Sequence, residues 1–276
     1  MKNILVTGSS GYIGQHLCKL LSSHYRVYGY DKKYNMQNVD TLFEQSILNL
    51  APAAKEFEFD TVIHLAALVR VNESVQNPID YYQTNLTGTI NMLKNIKYKN
   101  FVFASTGAAS NPISPYALSK RCAEDVVERY CIENGKTFTT FRFYNVIGTD
   151  GIPPTNPDGL FYRLQEATKT GTFELYGKNY NTKDGTCVRE YIHVNDICRS
   201  LIKAIETPSN DIQNLAYGDT RTVEEIVNIF KEVNGIDFQV IYKEARPGDL
   251  ESCYLDNPSR YVERNYTYEQ MMKWKP

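Results

Sequence analysis

The chain opens Met1-Lys2-Asn3-Ile4-Leu5-Val6-Thr7, a short apolar run that stops at a glycine. Such a run predicts a buried strand over Lys2 to Thr7. Ile13, Leu17, Leu20 and Leu21 then fall at helical spacing and predict an amphipathic helix from about Tyr12 to Leu21. Arg26 to Tyr30 reads as a second strand, and Asp40 to Leu50 carries a helical pattern that Pro52 ends. Thr61 to Ala67 is almost wholly apolar, as expected of a parallel strand covered on both faces. Further on, the pattern predicts a helix from Pro78 to about Ile96 and a strand over Phe101 to Ser105. It continues with a helix from Ser114-Pro115 to about Glu133 and a strand over Thr137 to Phe143.

Strands alternating with helices predict an α/β fold, a Rossmann-type doubly wound parallel sheet. After Asn145 the pattern changes to a Pro-, Gly- and Asn-rich stretch over Gly151 to Gly159. Such a stretch is a domain boundary. We expect a first domain over 1–145 and a smaller α/β C-terminal substrate domain over 146–276, with the chain crossing back into the first around 190–216. Helices are predicted in this part over Leu160 to Lys169, Val194 to Glu206 and Thr222 to Val233.

Composition narrows the class without fixing it. Hydrophobic residues make up 42% and charged residues 22%, the balance of a packed globule. Lys and Arg total 30 against 32 Asp and Glu, so no basic excess exists for a nucleic-acid backbone, and nucleic acid is not an expected partner. The apolar start is too short for a signal peptide, and no run approaches the length of a membrane span. Six cysteines include no Cys-x-x-Cys pair and sit in helix- or strand-like runs, so free thiols in a reducing cytoplasm are expected. The four histidines are scattered, and no metal site is expected.

The first junction carries chemistry. Gly8-Ser9-Ser10-Gly11-Tyr12-Ile13-Gly14 is a Gly-x-x-Gly-x-x-Gly loop between strand and helix. Such glycines allow a tight turn, backbone approach to a pyrophosphate and close helix–strand packing, and helix amides then face the phosphates. Asp31 ends the second strand about 20 residues on, where a carboxylate accepts from an adenosine ribose. Its charge would repel a 2'-phosphate, which favours NAD over NADP, although Lys32 and Lys33 soften that preference. Ordinary turn glycines and a solvated Asp31 are the plain alternative, and the agreement of all the spacings speaks against it.

Tyr116 and Lys120 stand at i and i+4, on one helix face. A tyrosine must drop about three units from about 10, or about 4 kcal/mol, to act as a base near neutrality. A cation about 4 Å away at an effective dielectric of about 20 supplies about that much, and a positive nicotinamide adds to it. Tyr-x-x-x-Lys also arises by chance among 21 tyrosines. Its place beyond Phe103-Ala104-Ser105-Thr106 raises its weight, because ligands of open sheets bind past the carboxyl ends of strands. Thr106 or Ser105 would offer a hydroxyl to the same substrate oxygen.

With these residues the chain resembles the extended short-chain dehydrogenase/reductase family, and within it the UDP-glucose 4-epimerases. The resemblance runs nearly the whole length. It is carried by Asp60 to Ala67, Glu73 to Pro78, Ser114-Pro115-Tyr116 with Lys120, Arg142 to Asn145, Asp184 to Val194 and Arg246 to Asp249. It implies that Tyr116 is the catalytic base, that Lys120 is its partner on the nicotinamide ribose, and that Thr106 stands where serine is usual. It implies an NAD site of Gly8, Gly11, Tyr12, Ile13, Gly14, Asp31, Lys32, Ser46, Ile47, Leu65, Ala66, Ala67 (on to Val69), Asn85 and Tyr144 together with Tyr116 and Lys120. For a UDP-sugar it implies Asn145, Arg189, Arg246, Asp249 and Cys253, the two arginines as forks on the phosphates.

His193 and Cys187 read better as packing residues. The chain departs from the family at Val69, at Gly159 and in the short Thr106–Tyr116 segment. The small Cys253 would leave room for an N-acetyl group. The implied activity is NAD-dependent inversion of C4 of a UDP-hexose through a transient 4-keto sugar. Rivals are another nucleotide-sugar enzyme of the family (decarboxylase, dehydratase or reductase) and a non-catalytic NAD-binding regulatory module. Gly107-Ala108 after Thr106 lack the acidic pair usual in dehydratases. The resemblance also implies a cytoplasmic homodimer paired through the helices of 77–96 and 115–133, with Ala117, Val126, Val127 and Tyr130 on that face or packed on the sheet.

Overall fold

In a computed structural model, the description covers residues 1–33, 38–245, 251–253 and 259–274. The apolar start forms strand β1 (Asn3–Thr7), and the helix after the glycine loop is α1 (Tyr12–Leu21). β2 (Arg26–Asp31), β4 (Glu58–His64), β5 (Lys97–Thr106) and β6 (Thr137–Phe143) follow, with β3 (Thr41–Glu44) between β2 and β4. Together with β10 (Ile212–Leu215) they make a seven-stranded sheet in the order β10-β6-β5-β4-β1-β2-β3. The pairings of β1 with β2 and β4, of β2 with β3, and of β4 with β5 are parallel.

Between β4 and β5 the chain is helical. α2 (Val71–Gln76) precedes α3 (Pro78–Tyr81), a π-helical turn (Tyr82–Thr87) and α4 (Gly88–Asn95). α5 (Pro115–Glu133) begins where Ser114 and Pro115 predict, with the Ser114 hydroxyl accepting from Ala117 N at 3.2 Å.

Two expectations need correction. Residues 40–50 do not form a helix. Thr41 to Glu44 pair with β2, and Phe43 drops into an aromatic cluster with Tyr28, Tyr30 and Phe57. Sheet-edge hydrogen bonds and aromatic burial outweigh the local helical pattern. The third strand starts earlier than expected and ends at His64, leaving Leu65 to Ala67 as irregular backbone.

The chain divides into two compact units, Met1–Arg142 with Cys198–Gln213 and Phe143–Ile197 with Asn214–Pro276. Buried Leu5, Val62, Phe101, Val127 and Phe138 belong to a core cluster in the first. The second has its own core, with Phe161, Phe173, Tyr191 and Phe230. It contains β7 (Asn145–Ile147), α6 (Leu160–Thr170), β8 (Thr172–Tyr176) and β9 (Val188–His193). After α7 (Val194–Glu206), whose residues from Cys198 on belong to the first unit, come β11 (Thr220–Thr222), α8 (Val223–Asn234), β12 (Gln239–Lys243), β13 (Ser252–Cys253) and α9 (Tyr268–Met272). β9 pairs with β7, β11 and β13, and β8 with β12. Among the described residues no helix is long and apolar enough to cross a membrane.

Candidate active site

The glycine loop is built to let backbone approach. Gly8 has φ of +70°, and a Cβ there would lie 2.7 Å from Ala66 N. A Cβ at Gly14 would lie 2.2 Å from Gly8 O and 2.7 Å from Ser9 O. Side chains at either place would fill the cradle, so the loop fits a pyrophosphate lying on the first turn of α1. Gly11 N donates to Gly8 O at 3.0 Å and closes the turn.

Asp31 ends β2 beside this loop. Its carboxylate accepts from Ser10 N at 3.0 Å and from Lys33 N at 3.3 Å, and Ser10 Oγ donates to Lys33 O at 2.8 Å. The acidic residue therefore tethers the loop to the strand end. Lys32 is exposed next to it. Tyr12 packs edge-on against His16, ring centroids 5.1 Å apart. Ile13 O lies 3.9 Å from the Cys198 thiol.

Ser46 and Ile47 follow β3. Ile47 is buried in the first core, pressed against Gly88, which leaves its backbone rather than its side chain for any cofactor contact. Leu65, Ala66 and Ala67 are half-buried, and Val69 is exposed. Asn85 is fully buried: its Oδ1 accepts from Leu68 N at 2.8 Å, and its Nδ2 donates to Leu68 O and Ser119 Oγ, both at 3.0 Å.

Thr106, Tyr116 and Lys120 meet at the carboxyl end of β5. The Thr106 side chain neighbours the Tyr116 phenol closely enough to favour its ionised form. The Tyr116 ring meets Tyr81 edge-on at 6.3 Å, and the Tyr81 hydroxyl is fixed by Arg70 O at 2.7 Å and Glu73 Oε2 at 3.0 Å. Lys120 is buried, its Nζ 4.4 Å from the centre of the Phe103 ring.

The protein's own groups do not lower the phenol as the Tyr–Lys spacing suggests. Burial pushes Tyr116 up, and the neighbouring Thr106 side chain opposes it. Burial likewise takes Lys120 down to about 7, against the pull of the Glu124 carboxylate. Desolvation penalises both charged forms more than these neighbours stabilise them.

One turn beyond Lys120, fully buried Glu124 is held by two bonds from Arg142, at 2.6 and 2.9 Å, and by Ser105 Oγ at 2.5 Å. Sequence reading passed over Glu124 and Tyr81, although Glu124 extends the Tyr116–Lys120 spacing by four more residues.

The second unit carries a cleft of about 110 Å³. Of the residues expected to meet a UDP-sugar, Asn145 and Arg189 line it. Asn145 Nδ2 donates to Glu190 O at 2.9 Å, and Arg189 Nη1 donates to Val188 O at 2.8 Å. Cys253 lies in β13, in register with Arg189. Arg246 and Asp249 lie outside the described residues. Tyr144 is half-buried between β6 and β7.

Arg163, Tyr176, Leu160 and Cys187 line the same cleft. Only the alternation Phe173-Glu174-Leu175-Tyr176 signals β8, which sequence reading missed. His193 is a packing residue, stacked on Tyr266 at 3.7 Å.

The parallel sheet, the glycine cradle and the acidic strand end define a dinucleotide-binding protein of Rossmann type. The chain belongs to the NAD dependent epimerase/dehydratase family, whose model matches residues 4–229. It is 32% identical to the UDP-glucose 4-epimerase of Pasteurella multocida, over 98% of this chain and 95% of that protein. The structure of UDP-glucose 4-epimerase from Brucella ovis in complex with NAD matches with a TM-score of 0.88 at 28% identity, covering 99% of this chain and 96% of that one. That of Thermotoga maritima UDP-glucose 4-epimerase with UDP-glucose matches with a TM-score of 0.85 at 28% identity, covering 98% and 96%.

Proposed function

We propose that this chain is an NAD-dependent epimerase that inverts C4 of a UDP-hexose, with UDP-glucose and UDP-galactose as the pair interconverted. The observation that carries this reading is the placement of Thr106 beside Tyr116 at the end of β5, with Lys120 one turn along the same helix. That places a phenol, a hydroxyl and an ammonium in the unit that holds the dinucleotide cradle.

Gly8, Gly11 and Gly14 with the first turn of α1 hold the pyrophosphate, and Asp31 and Lys32 stand at the adenosine ribose. Ser46 and Ile47 flank the adenine, while Leu65 to Ala67, Asn85 and Tyr144 line the rest. When bound, NAD would supply a reversible hydride acceptor for the sugar C4 and a positive ring that favours the ionised phenol.

Ionised Tyr116 takes the proton of the 4-hydroxyl as the 4-keto sugar forms, and returns it when C4 is reduced on the opposite face. One group is thus base and then acid. Thr106 donates to the same oxygen, and Lys120 holds the nicotinamide ribose one turn along the helix from the phenol. Arg189 and Arg246 clamp the diphosphate while the keto sugar turns about its link to it. Asn145 and Asp249 orient the nucleotide, and Tyr176 offers a flat wall for its base. The small Cys253 leaves room for the N-acetyl forms of the sugars.

We place the enzyme in the cytoplasm as a homodimer. Ala117 and Val127 are buried within the chain, and the partly buried Val126 and Tyr130 pack against its core. Ile79, Ile90 and Leu118 are exposed on the two helical stretches that would pair.

The test offers purified protein UDP-galactose, its N-acetyl form, UDP-glucuronate and TDP-glucose without added cofactor, and separates the products. The expected product is UDP-glucose from UDP-galactose, with no net consumption of NAD. Decarboxylated or dehydrated products would overturn the reading in favour of a relative with another outcome.

A further inference from the structure

A buried line of polar groups runs from β1 to the helix that bears Tyr116, and of its members the mechanism above uses only Asn85. Thr7, His64, Asn85 and Ser119 are fully buried, and Thr89 nearly so. Thr7 Oγ1 lies 2.8 Å from His64 Nδ1, and His64 Nε2 lies 3.1 Å from Thr89 Oγ1. Thr89 Oγ1 donates to Asn85 O at 2.6 Å, and Ala66 N donates to Thr7 Oγ1 at 3.2 Å.

The sense of this line is fixed by proton counting. The Asn85 carbonyl can only accept, so the one Thr89 proton is committed to it. His64 Nε2 must then carry a proton and donate to Thr89. The ring is neutral, because burial and the nearby charge of Lys120 push its pKa down to about 3. Nδ1 is therefore an acceptor and takes the Thr7 proton, which frees a Thr7 lone pair for Ala66 N–H. A single tautomer satisfies every group, whereas the other would leave Nε2 and the committed Thr89 oxygen as two acceptors face to face.

We propose that His64 is a positioning residue, locked as the Nε2–H tautomer, that ties the cofactor-lining turn at Ala66 to the helical segment holding Asn85. From Asn85 the link continues, since its side chain grips Leu68 and Ser119, and Ser119 Oγ donates to Tyr116 O at 2.7 Å. The imidazole thus sets the Leu65–Leu68 backbone against the first turns of α5. The imidazole stacks on Phe103, 6.0 Å between centroids. This rests on the reading of that backbone as part of the NAD site.

The test has two arms on the NAD-loaded enzyme. Ring-15N spectra, with His64→Phe to assign the signal, are expected to show protonated Nε2 and bare Nδ1, unchanged from about pH 5 to about pH 9. The Nδ1–H tautomer, or a titration in that range, overturns the proposal. In the second arm, Thr89→Val removes the Nε2 partner while keeping the side-chain shape. It should weaken NAD binding roughly tenfold, the scale of one buried hydrogen bond, with kcat at saturating NAD close to wild type. His64→Gln, which keeps a donor toward Thr89, should recover part of the affinity lost in His64→Phe. Equal NAD affinity in folded Thr89→Val and wild type also overturns it. Wild-type protein that binds no NAD would instead remove the cofactor reading itself, and this inference with it.

Discussion

The Thr106 side chain and the Tyr116 phenol are neighbours across the short segment that leads from β5 into α5. The strand fixes one partner and the capped first turn of the helix fixes the other. The pair is therefore set before substrate arrives, which is what acid–base work on a sugar hydroxyl requires.

Tyr116→Phe removes the phenol and keeps the ring against Tyr81. Turnover should fall by roughly 10²- to 10⁴-fold, the span of a lost general acid–base group. NAD affinity and far-UV circular dichroism should stay near wild type. Steady-state rates beside calorimetric NAD titration check this, and near-normal turnover would remove Tyr116 from the chemistry.

Gly14→Ala tests the cradle. The added methyl would lie 2.2 Å from Gly8 O, a backbone atom that cannot swing aside. The loop must shift, and overpacking of this kind costs about 1–3 kcal/mol, so NAD affinity should fall at least about tenfold. Unchanged NAD affinity in a calorimetric titration would mean that the loop does not hold the pyrophosphate.

Lys120 links the site to stability. Burial holds it at about 7 in the native chain, against about 10.4 when unfolded. Between those values the unfolded chain binds the extra proton, so this group's contribution to stability rises as pH climbs from about 7 to about 10. Below about 7 both states are protonated and the full cost of burying the ammonium remains. Lys120→Met should therefore be more stable than wild type near pH 6 by comparison of urea midpoints, with the gap closing near pH 9. A gap independent of pH would contradict the burial-driven shift.

Much of the first unit was legible because its signals are local. The apolar run before Gly8, the spacing to Asp31 and the Ser114-Pro115 start of α5 each depend on a few adjacent residues. Residues 40–50 were misread because Phe43 takes its place from Tyr28 and Phe57, which no local window contains. The Glu124–Arg142 pair joins a helix to a strand 18 residues away, so spacing alone does not announce it. The upward shift of Tyr116 was also hidden, because spacing reports the attraction of Lys120 but not the desolvation that opposes it. The Tyr176 side of the cleft stayed unseen for a similar reason: five alternating residues in β8 do not declare which face meets a ligand.

The central claim is that C4 loses a hydride and regains the same one while the cofactor stays bound. UDP-glucose carrying deuterium at C4, converted in ordinary water without added NAD, tests it most directly. The account predicts UDP-galactose that keeps the deuterium at C4, read by mass spectrometry and NMR. Loss of the label to solvent would mean that C4 exchanges a proton, and would contradict the account.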